Sequence, residues 1–162
     1  MRKVFFVVAL SILCIGGCRK NDREISDISS TLIVGKEIDN NFYKETLGEP
    51  DSNINGTLVW NNYELVKNYL GTLTTWIYEY PNSTKIGIAS WMWTCVGTKD
   101  DYFKIHQIFT TQYGKAIPIR DDNTWCAFQI EDDPRGNNEY TYEAELRYDT
   151  ENNTINFSWP YF

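Results

Sequence analysis

Apolar and polar residues alternate along Tyr140–Tyr148, which runs Tyr-Thr-Tyr-Glu-Ala-Glu-Leu-Arg-Tyr. A period of two places successive side chains on opposite faces of a β-strand. The polar turn 149–153 follows, and Thr154–Trp159 then alternates in the same way. The two stretches therefore predict a β-hairpin with one buried face.

The middle of the chain predicts a second hairpin. Thr74–Tyr80 alternates with Trp76, Tyr78 and Tyr80 on one face, and a second strand over Lys85–Thr94 follows the turn. Strict alternation in this second strand places two tryptophans on one face and three aliphatic residues on the other. The tryptophans are Trp91 and Trp93, and the aliphatic residues are Ile86, Ile88 and Met92. Two apolar faces indicate a central strand that is covered on both sides.

Two helices complete the pattern. One short helix is predicted to end at Leu47, because Gly48 suits the position after a helix and Pro50 cannot continue it. The other begins near Asp100 and ends before Gly114. Its apolar residues recur at steps of three and four, as on one face of a helix. They are Tyr102, Ile105, Ile108, Phe109 and Tyr113.

Together these elements predict an α+β domain, with an antiparallel sheet of about five to seven strands and two main helices packed on it. Shorter strands fall at Thr57–Trp60 and Thr124–Ile130, whereas Asn61–Leu70 fits either a helix or an irregular excursion. Phe42–Pro50 and Phe109–Pro118 are similar, since each is a helix end followed by glycine and proline. This similarity points to a tandem repeat of one helix and its strands.

The N-terminus carries the pattern of a secretory signal peptide. Two basic residues precede an apolar run over 4–15, and Gly16, Gly17 and Cys18 follow. A dozen apolar residues are too few for a membrane-spanning helix, which needs ~20. Small residues before a cysteine resemble a bacterial lipobox, which implies cleavage before Cys18 and acylation of that residue. An ordinary secretory signal with cysteines at 14 and 18 by chance is the alternative.

Such processing would divide the chain into a signal peptide (1–17), a lipidated flexible tether (18–30) and a single α+β domain (31–162). Loss of the signal peptide lowers the formal net charge from -7 to -9. So acidic a chain argues against nucleic acid as a partner, because nucleic acid binds basic patches. Attachment to a membrane would then depend on the acyl chains. We expect a lipid-anchored protein of the bacterial cell envelope, at the periplasmic or surface face of the outer membrane.

Two cysteines remain once Cys18 is acylated. In an oxidising compartment such a pair usually bonds, so we predict a disulfide between Cys95 and Cys126. Closing this loop would stabilise the fold by about 3–4 kcal/mol. The alternative is a cysteine nucleophile with His106 as its base. Against this, the sequence shows no group to orient His106, which falls off the apolar stripe of its helix and is expected to be solvated.

The sequence carries none of the common catalytic or nucleotide-binding motifs, and it predicts neither an enzyme nor a bound cofactor. Acidic clusters lie in predicted loops at Asp100-Asp101, Asp121-Asp122 and Glu131–Asp133. Solvated loops are the main interpretation, and no metal site is predicted. Calcium binding and paired-carboxylate catalysis are the alternatives. A deep pocket lined by Asp121, Glu131 or His106 would favour an enzyme.

The chain is rich in tryptophan, which packs cores but also stacks on sugars when it is exposed. Of the six tryptophans, Trp91 and Trp93 share one strand face, so they are the candidate binding residues. Exposure of that face would indicate glycan binding, and burial would indicate a core role.

Residues 32–80 resemble small envelope lipoproteins whose folds are similar to the β-lactamase inhibitor protein, a group that includes an accessory of outer-membrane protein assembly. The resemblance lies in a helix start, a helix stop and an aromatic strand. These are Gly35-Lys36 with Phe42, then Leu47-Gly48-Glu49-Pro50-Asp51, and then Trp76-Ile77-Tyr78-Glu79-Tyr80. It implies protein binding or scaffolding and carries over no functional residue. The segment from Thr57 to Leu70 departs from the compact form of these proteins.

The sequence therefore predicts a non-catalytic envelope lipoprotein that binds a protein partner, of the inhibitor or assembly-accessory type. One alternative is a glycan-binding lipoprotein that uses exposed tryptophans. Another is a periplasmic immunity protein that neutralises a basic toxin, since opposite charge steers association.

Overall fold

The computed structural model describes residues 24–26, 34–35, 37–39, 42–130 and 142–159. Nine strands and two helices are formed by these residues. In chain order they are β1 (Glu37–Asp39), α1 (Phe42–Leu47), β2 (Ser52–Ile54), β3 (Thr57–Val66), β4 (Tyr69–Glu79), β5 (Lys85–Val96), α2 (Lys99–Tyr113), β6 (Ile117–Pro118), β7 (Trp125–Ile130), β8 (Tyr142–Asp149) and β9 (Thr154–Trp159).

Both predicted hairpins are confirmed, and they join into one sheet. β8 pairs with β9, where Leu146 is opposite Phe157, and β4 pairs with β5, where Leu73 is opposite Trp93. β5 and β9 also pair, since Trp93 is opposite Phe157. All these pairings are antiparallel. The strand order is β2-β3-β4-β5-β9-β8-β7-β6, and β1 pairs with β5 outside this path.

The order of the elements repeats along the chain. α1 is followed by β2 to β5 and α2 by β6 to β9, and each set is an antiparallel meander of four strands. The two meanders meet at their last strands, β5 and β9, so their first strands lie at the edges of the sheet. Both edges are short, and β6 contains Pro118, which has no amide hydrogen to donate. Short edges of this kind hinder strand addition by another chain.

The predicted fold class is wrong in its proportions. The described part of the chain has nine strands instead of five to seven, with 55% of residues in strands and 17% in helices. α1 has only six residues and contacts β1. The 15-residue α2 is the helix that packs on the sheet, against β7 and β8. The structure is therefore a large antiparallel sheet with one substantial helix.

The segment Asn61–Leu70 accounts for part of the strand content that the sequence did not predict. β3 and β4 run through it and turn at Lys67 and Asn68, which leaves Val66 opposite Tyr69. Two register shifts, one on each side of Tyr63, interrupt the pairing of these strands. Such irregularities break the period of two, which is why the sequence shows no clear pattern here. The prediction of a helix or an irregular excursion is wrong.

A β-bulge sets the burial pattern of β5. Trp76 of β4 is opposite Ser90, but the next residue, Ile77, is opposite Ile88, so Ala89 is the extra residue. The bulge reverses the alternation of the strand. Four residues from both sides of it are consequently buried in one core: Ile86, Ile88, Trp91 and Trp93. The predicted division of β5 into two apolar faces is wrong.

α2 covers one face of the sheet, which we call the inner face. Tyr102, Ile105 and Phe109 are buried on this side, as the helical spacing predicts. The Phe109 ring centroid lies 4.3 Å from that of Phe157 on β9 and 5.8 Å from that of Phe128 on β7. The opposite face of the sheet, which α2 leaves uncovered, is the outer face.

The described residues include no helix that is both long and apolar enough to span a bilayer. The predicted signal peptide, Cys18 and most of the tether lie outside the described residues.

Candidate functional site

The outer face of the sheet presents exposed aromatic side chains on β4. Alternation along this strand buries Leu73 and Thr75 in the core and turns Trp76 and Tyr78 outward. Trp76 is 36% exposed and Tyr78 is 37% exposed. The Tyr78 and Tyr80 rings are 5.2 Å apart, and their hydroxyl oxygens are 3.0 Å apart. The prediction that the three aromatic residues share one face is confirmed.

An exposed aliphatic side chain extends this surface. Ile54 of β2 is opposite Thr57 of β3, which is opposite Trp76, so the three residues form one row on the outer face. Ile54 is 66% exposed and lies two strand spacings, ~10 Å, from Trp76. We call Ile54, Trp76, Tyr78 and Tyr80 the aromatic patch.

Gly87 of β5 lies under the Tyr78 ring of the aromatic patch. It is opposite Tyr78, and a Cβ atom added to it would overlap the Tyr78 ring. The absence of a side chain therefore leaves room for the ring over the backbone.

A second cluster lies on the outer face of the other meander. Trp125 of β7 is directly opposite Arg147 of β8, and the guanidinium carbon of Arg147 is 5.2 Å from the Trp125 ring centroid. The guanidinium of Arg120 is 5.3 Å from the same ring. The indole N–H of Trp125 donates to Oε2 of Glu145 at 3.1 Å, which fixes the ring. We call Arg120, Trp125 and Arg147 the arginine–tryptophan cluster; its contacts are cation–π interactions.

The candidate binding residues Trp91 and Trp93 lie on the inner face. Their exposed fractions are 1% and 0%. The Trp91 ring packs 5.6 Å from that of Phe157, and the Trp93 indole N–H donates to the Tyr63 carbonyl oxygen at 3.0 Å. Both are core residues, so neither can stack on a glycan in this fold.

Cys95 and Cys126 are buried free thiols. Cys95 is opposite Ile155 on β9 and Cys126 is opposite Leu146 on β8, so β9 and β8 separate the two cysteines. Three strand spacings amount to ~14 Å, whereas a disulfide needs Cα atoms within ~7 Å. The predicted disulfide is therefore not formed. Burial raises the pKa of Cys95 to about 12 and also raises the pKa of Cys126, which disfavours either as a nucleophile.

The polar residues considered for chemistry do not converge. His106 is half-buried, with its ring 5.9 Å from that of Phe128, so it is less solvated than the sequence predicts. Burial lowers the pKa of His106. Asp121 is exposed before β7, and Glu131 lies outside the described residues. Within the described ranges, no three His, Cys, Asp or Glu side chains are grouped so that they could hold a metal ion.

A shallow groove of about 300 Å³ separates Glu24 from α2. Its lining residues on α2 are Lys104, Gln107, Ile108 and Thr111. None of the residues considered for catalysis lines this groove.

Sequence reasoning missed Ile54 and the arginines. Ile54 directly precedes Asn55-Gly56, a strong hairpin signal that places it at the end of a strand. Asn55 and Gly56 have positive φ, 51° and 78°, as a tight turn between β2 and β3 requires. Arg147 falls on the polar side of the predicted hairpin strand, but no pattern in the sequence places Arg120 beside it.

Comparison of the chain with protein-family models, curated proteins and solved structures finds no match.

Proposed function

We propose that this chain is a non-catalytic lipoprotein of the bacterial envelope that binds a protein partner through the outer face of its sheet. The aromatic patch carries the proposal, because Trp76 and Tyr78 are both exposed on β4 and Ile54 is exposed in the same row as Trp76, with Thr57 between them. Contiguous exposed apolar side chains mark interaction sites, and tryptophan and tyrosine are enriched among the residues that contribute most binding energy. The half-buried Thr74 and Ser90 give the patch a polar border.

The placement of reactive groups supports the non-catalytic part of the proposal. Both thiols are buried, and His106 packs against Phe128 without a hydrogen bond to either of them in the described residues. An enzyme would need a nucleophile or base in a cleft with its partner in reach.

Partner capture tests the aromatic patch. Crosslinking on intact envelopes followed by purification should recover a protein with the unmodified chain and much less of it with Trp76→Ala or Tyr78→Ala. Phe103→Ala is the matched control, because Phe103 is an exposed aromatic residue on α2 and lies away from the outer face. Equal recovery with all variants, or no captured protein at all, would contradict the proposal.

The anchor is tested separately. Cys18→Ser should release the protein from the membrane fraction and abolish labelling with palmitate, because two or more acyl chains hold a protein stably and none remain in this variant. Unchanged membrane association would argue against acylation at Cys18.

Glycan binding is the second candidate, and the exposed rings of Trp76 and Tyr78 favour it. A glycan array would decide between the two. Strong binding signals that are lost in Trp76→Ala would support a glycan ligand, whereas the absence of binding signals would support a protein partner. A captured protein of high positive charge would identify the immunity type, since the chain is strongly acidic.

A further inference from the structure

The arginine–tryptophan cluster carries two guanidinium groups that form no ion pair within the described residues, although carboxylates lie near them. Glu145 accepts a hydrogen bond from Trp125, and the charge of Arg147 adds to the hydrogen bonds from Asn152 and Glu151 that lower the pKa of Asp149. In the described residues the ion pairs are Lys44–Glu49, Lys85–Glu37 and Lys104–Asp101, and none of them includes an arginine. Hydrogen bonds from Thr124 lower the pKa of Asp122, and the nearby charge of Arg120 adds to this effect without an ion pair. An acidic chain thus leaves two guanidinium groups available on the outer face.

The cluster is organised before any ligand arrives. Trp125 is held by its hydrogen bond to Glu145 and by its strand position opposite Arg147. Both guanidinium groups pack on its ring while their residues remain exposed. A planar guanidinium that rests on an aromatic ring loses less freedom when it binds, and its N–H groups suit the two oxygens of a carboxylate.

Apolar side chains lie beside the cluster. Ile117 of β6 is 44% exposed and is opposite Ala127 of β7. Ala127 is two residues from Trp125 along β7, so both lie on the outer face. Ile119 is 45% exposed, and its backbone N–H donates to the Trp125 carbonyl oxygen at 2.8 Å. The surface therefore combines two cations with two exposed isoleucines.

We propose that the arginine–tryptophan cluster binds an Asp or Glu carboxylate of the protein partner, within a segment that places apolar residues on Ile117 and Ile119. The proposal rests on the proposed function in one respect, that the partner is a protein. Charge complementarity favours a carboxylate over the more highly charged phosphate, because Glu145 lies beside the cluster. It also disfavours an anionic lipid surface, which would repel the acidic chain as a whole.

A peptide titration tests the proposal without knowledge of the partner. The full chain in detergent is titrated with a capped Gly-Leu-Glu-Leu-Gly peptide and, in parallel, with the same peptide carrying Gln for Glu. We expect the NMR signals of the Trp125 indole N–H and of the two arginine Nε–H groups to shift with the Glu peptide. Affinity for the Gln peptide should be lower by about fivefold, in line with a partly exposed ion pair. Equal shifts with both peptides would overturn the proposal.

Variants identify the charges that act. Arg147→Gln and Arg120→Gln should each reduce affinity for the Glu peptide by about fivefold and leave affinity for the Gln peptide unchanged. Lys115→Gln, which removes an exposed cation outside the cluster, should change neither. An equal loss with Lys115→Gln would show general attraction to positive charge and overturn the proposal. Binding to phosphatidylglycerol vesicles that depends on the two arginines, without binding to the Glu peptide, would also overturn it in favour of lipid.

The two proposals fail in different ways. If Trp76→Ala abolishes partner capture and the Glu peptide does not bind, partner binding through the aromatic patch stands and the carboxylate site is rejected. If the peptide binds as expected but no partner is captured, the carboxylate site exists without a demonstrated protein function, and the proposed function is rejected.

Discussion

At the residue scale, asparagines occupy the turn positions that need a positive φ. In the described part of the chain, every residue other than glycine that has positive φ is an asparagine. These residues are Asn55, Asn62, Asn68, Asn82, Asn123 and Asn153. Asparagine tolerates the left-handed region better than other side chains, so it permits short connections and an irregular hairpin without glycine. Composition alone therefore indicates a turn-rich chain, but it does not show which asparagines lie in turns.

Two polar atoms are buried without a partner at one point of the core. The Thr75 hydroxyl and the Trp91 indole N–H form no hydrogen bond within the described part of the chain, and the two residues are opposite each other on β4 and β5. An unsatisfied buried group costs roughly 1–3 kcal/mol, so Thr75→Val should increase the free energy of unfolding by about 1 kcal/mol. Urea denaturation measures this change.

Thr94→Val is the control for this prediction. The Thr94 hydroxyl donates to Oδ1 of Asn156 at 2.8 Å, so the same substitution there removes a formed hydrogen bond. It should lower the free energy of unfolding by about 1 kcal/mol. If both variants are destabilised alike, the Thr75 hydroxyl is bonded in solution and the prediction is wrong.

At the scale of secondary-structure elements, the capping box at the start of α2 makes the stability of the fold depend on pH. The Thr98 hydroxyl accepts a hydrogen bond from the Asp101 backbone N–H at 3.2 Å, and the Asp101 carboxylate accepts one from the Thr98 backbone N–H at 3.0 Å. Hydrogen bonds from the Thr98 side chain and backbone, with a smaller contribution from Lys104, lower the pKa of Asp101 to about 2. The ordinary value is 3.8, so protonation of this carboxylate is unfavourable in the folded state.

A lowered pKa fixes the sign of the effect. The stabilisation by Asp101 is fully present above pH ~4 and is lost as the pH falls towards 2. Asp101→Asn should therefore lower the thermal midpoint at pH 5 more than at pH 2, because the unmodified protein has lost this contribution in acid. Asp100→Asn is the matched control, because it removes a neighbouring carboxylate that is not part of the reciprocal pair formed by Thr98 and Asp101. Curves for Asp101→Asn and the unmodified chain that stay parallel from pH 5 to 2 would contradict the prediction.

Substitution of two glycines on the paired strands β4 and β5 should have different effects, because one faces the core and the other faces the aromatic patch. A Cβ on Gly71 would lie 2.5 Å from both the Trp93 Nε1 and the Thr94 carbonyl oxygen, so Gly71→Ala should cost roughly 1–3 kcal/mol of stability. A Cβ on Gly87 would meet the exposed Tyr78 ring, which can move into solvent. Gly87→Ala should therefore change stability little but weaken partner capture. Thermal denaturation and crosslinking measure the two effects, and equal destabilisation by both variants would refute this distinction.

The predictable elements are those with an uninterrupted period. The hairpin of β8 and β9 and the helix α2 follow clean alternation and clean three-to-four spacing, and both are confirmed. β3, β4 and β5 contain bulges, so a strict period assigned the wrong faces on β5 and concealed the hairpin around Asn68. The site divides in the same way: alternation placed Trp76, Tyr78 and Tyr80 on one face, but exposure depends on which face α2 covers, and that is decided by tertiary packing.

The two meanders form one structural unit at the scale of the whole molecule. Phe157 of β9 is opposite Trp93 of β5, and its ring lies 5.6 Å from that of Trp91 and 4.3 Å from that of Phe109. The buried residues of both meanders belong to a single cluster. A continuous core of this kind predicts that the halves unfold together.

The two buried thiols report on this cooperativity, because Cys95 lies in the first meander and Cys126 in the second. Phe157→Ala should lower stability by about 3–5 kcal/mol, since it removes a fully buried ring at the junction. Labelling of both thiols with a small alkylating reagent, followed by mass spectrometry, should accelerate by the same factor of about a hundred or more. Phe103→Ala, at an exposed position, should leave both rates nearly unchanged. Faster labelling of Cys126 while Cys95 stays protected would show that the meanders open independently, and the join between β5 and β9 would then be a hinge between two folding units.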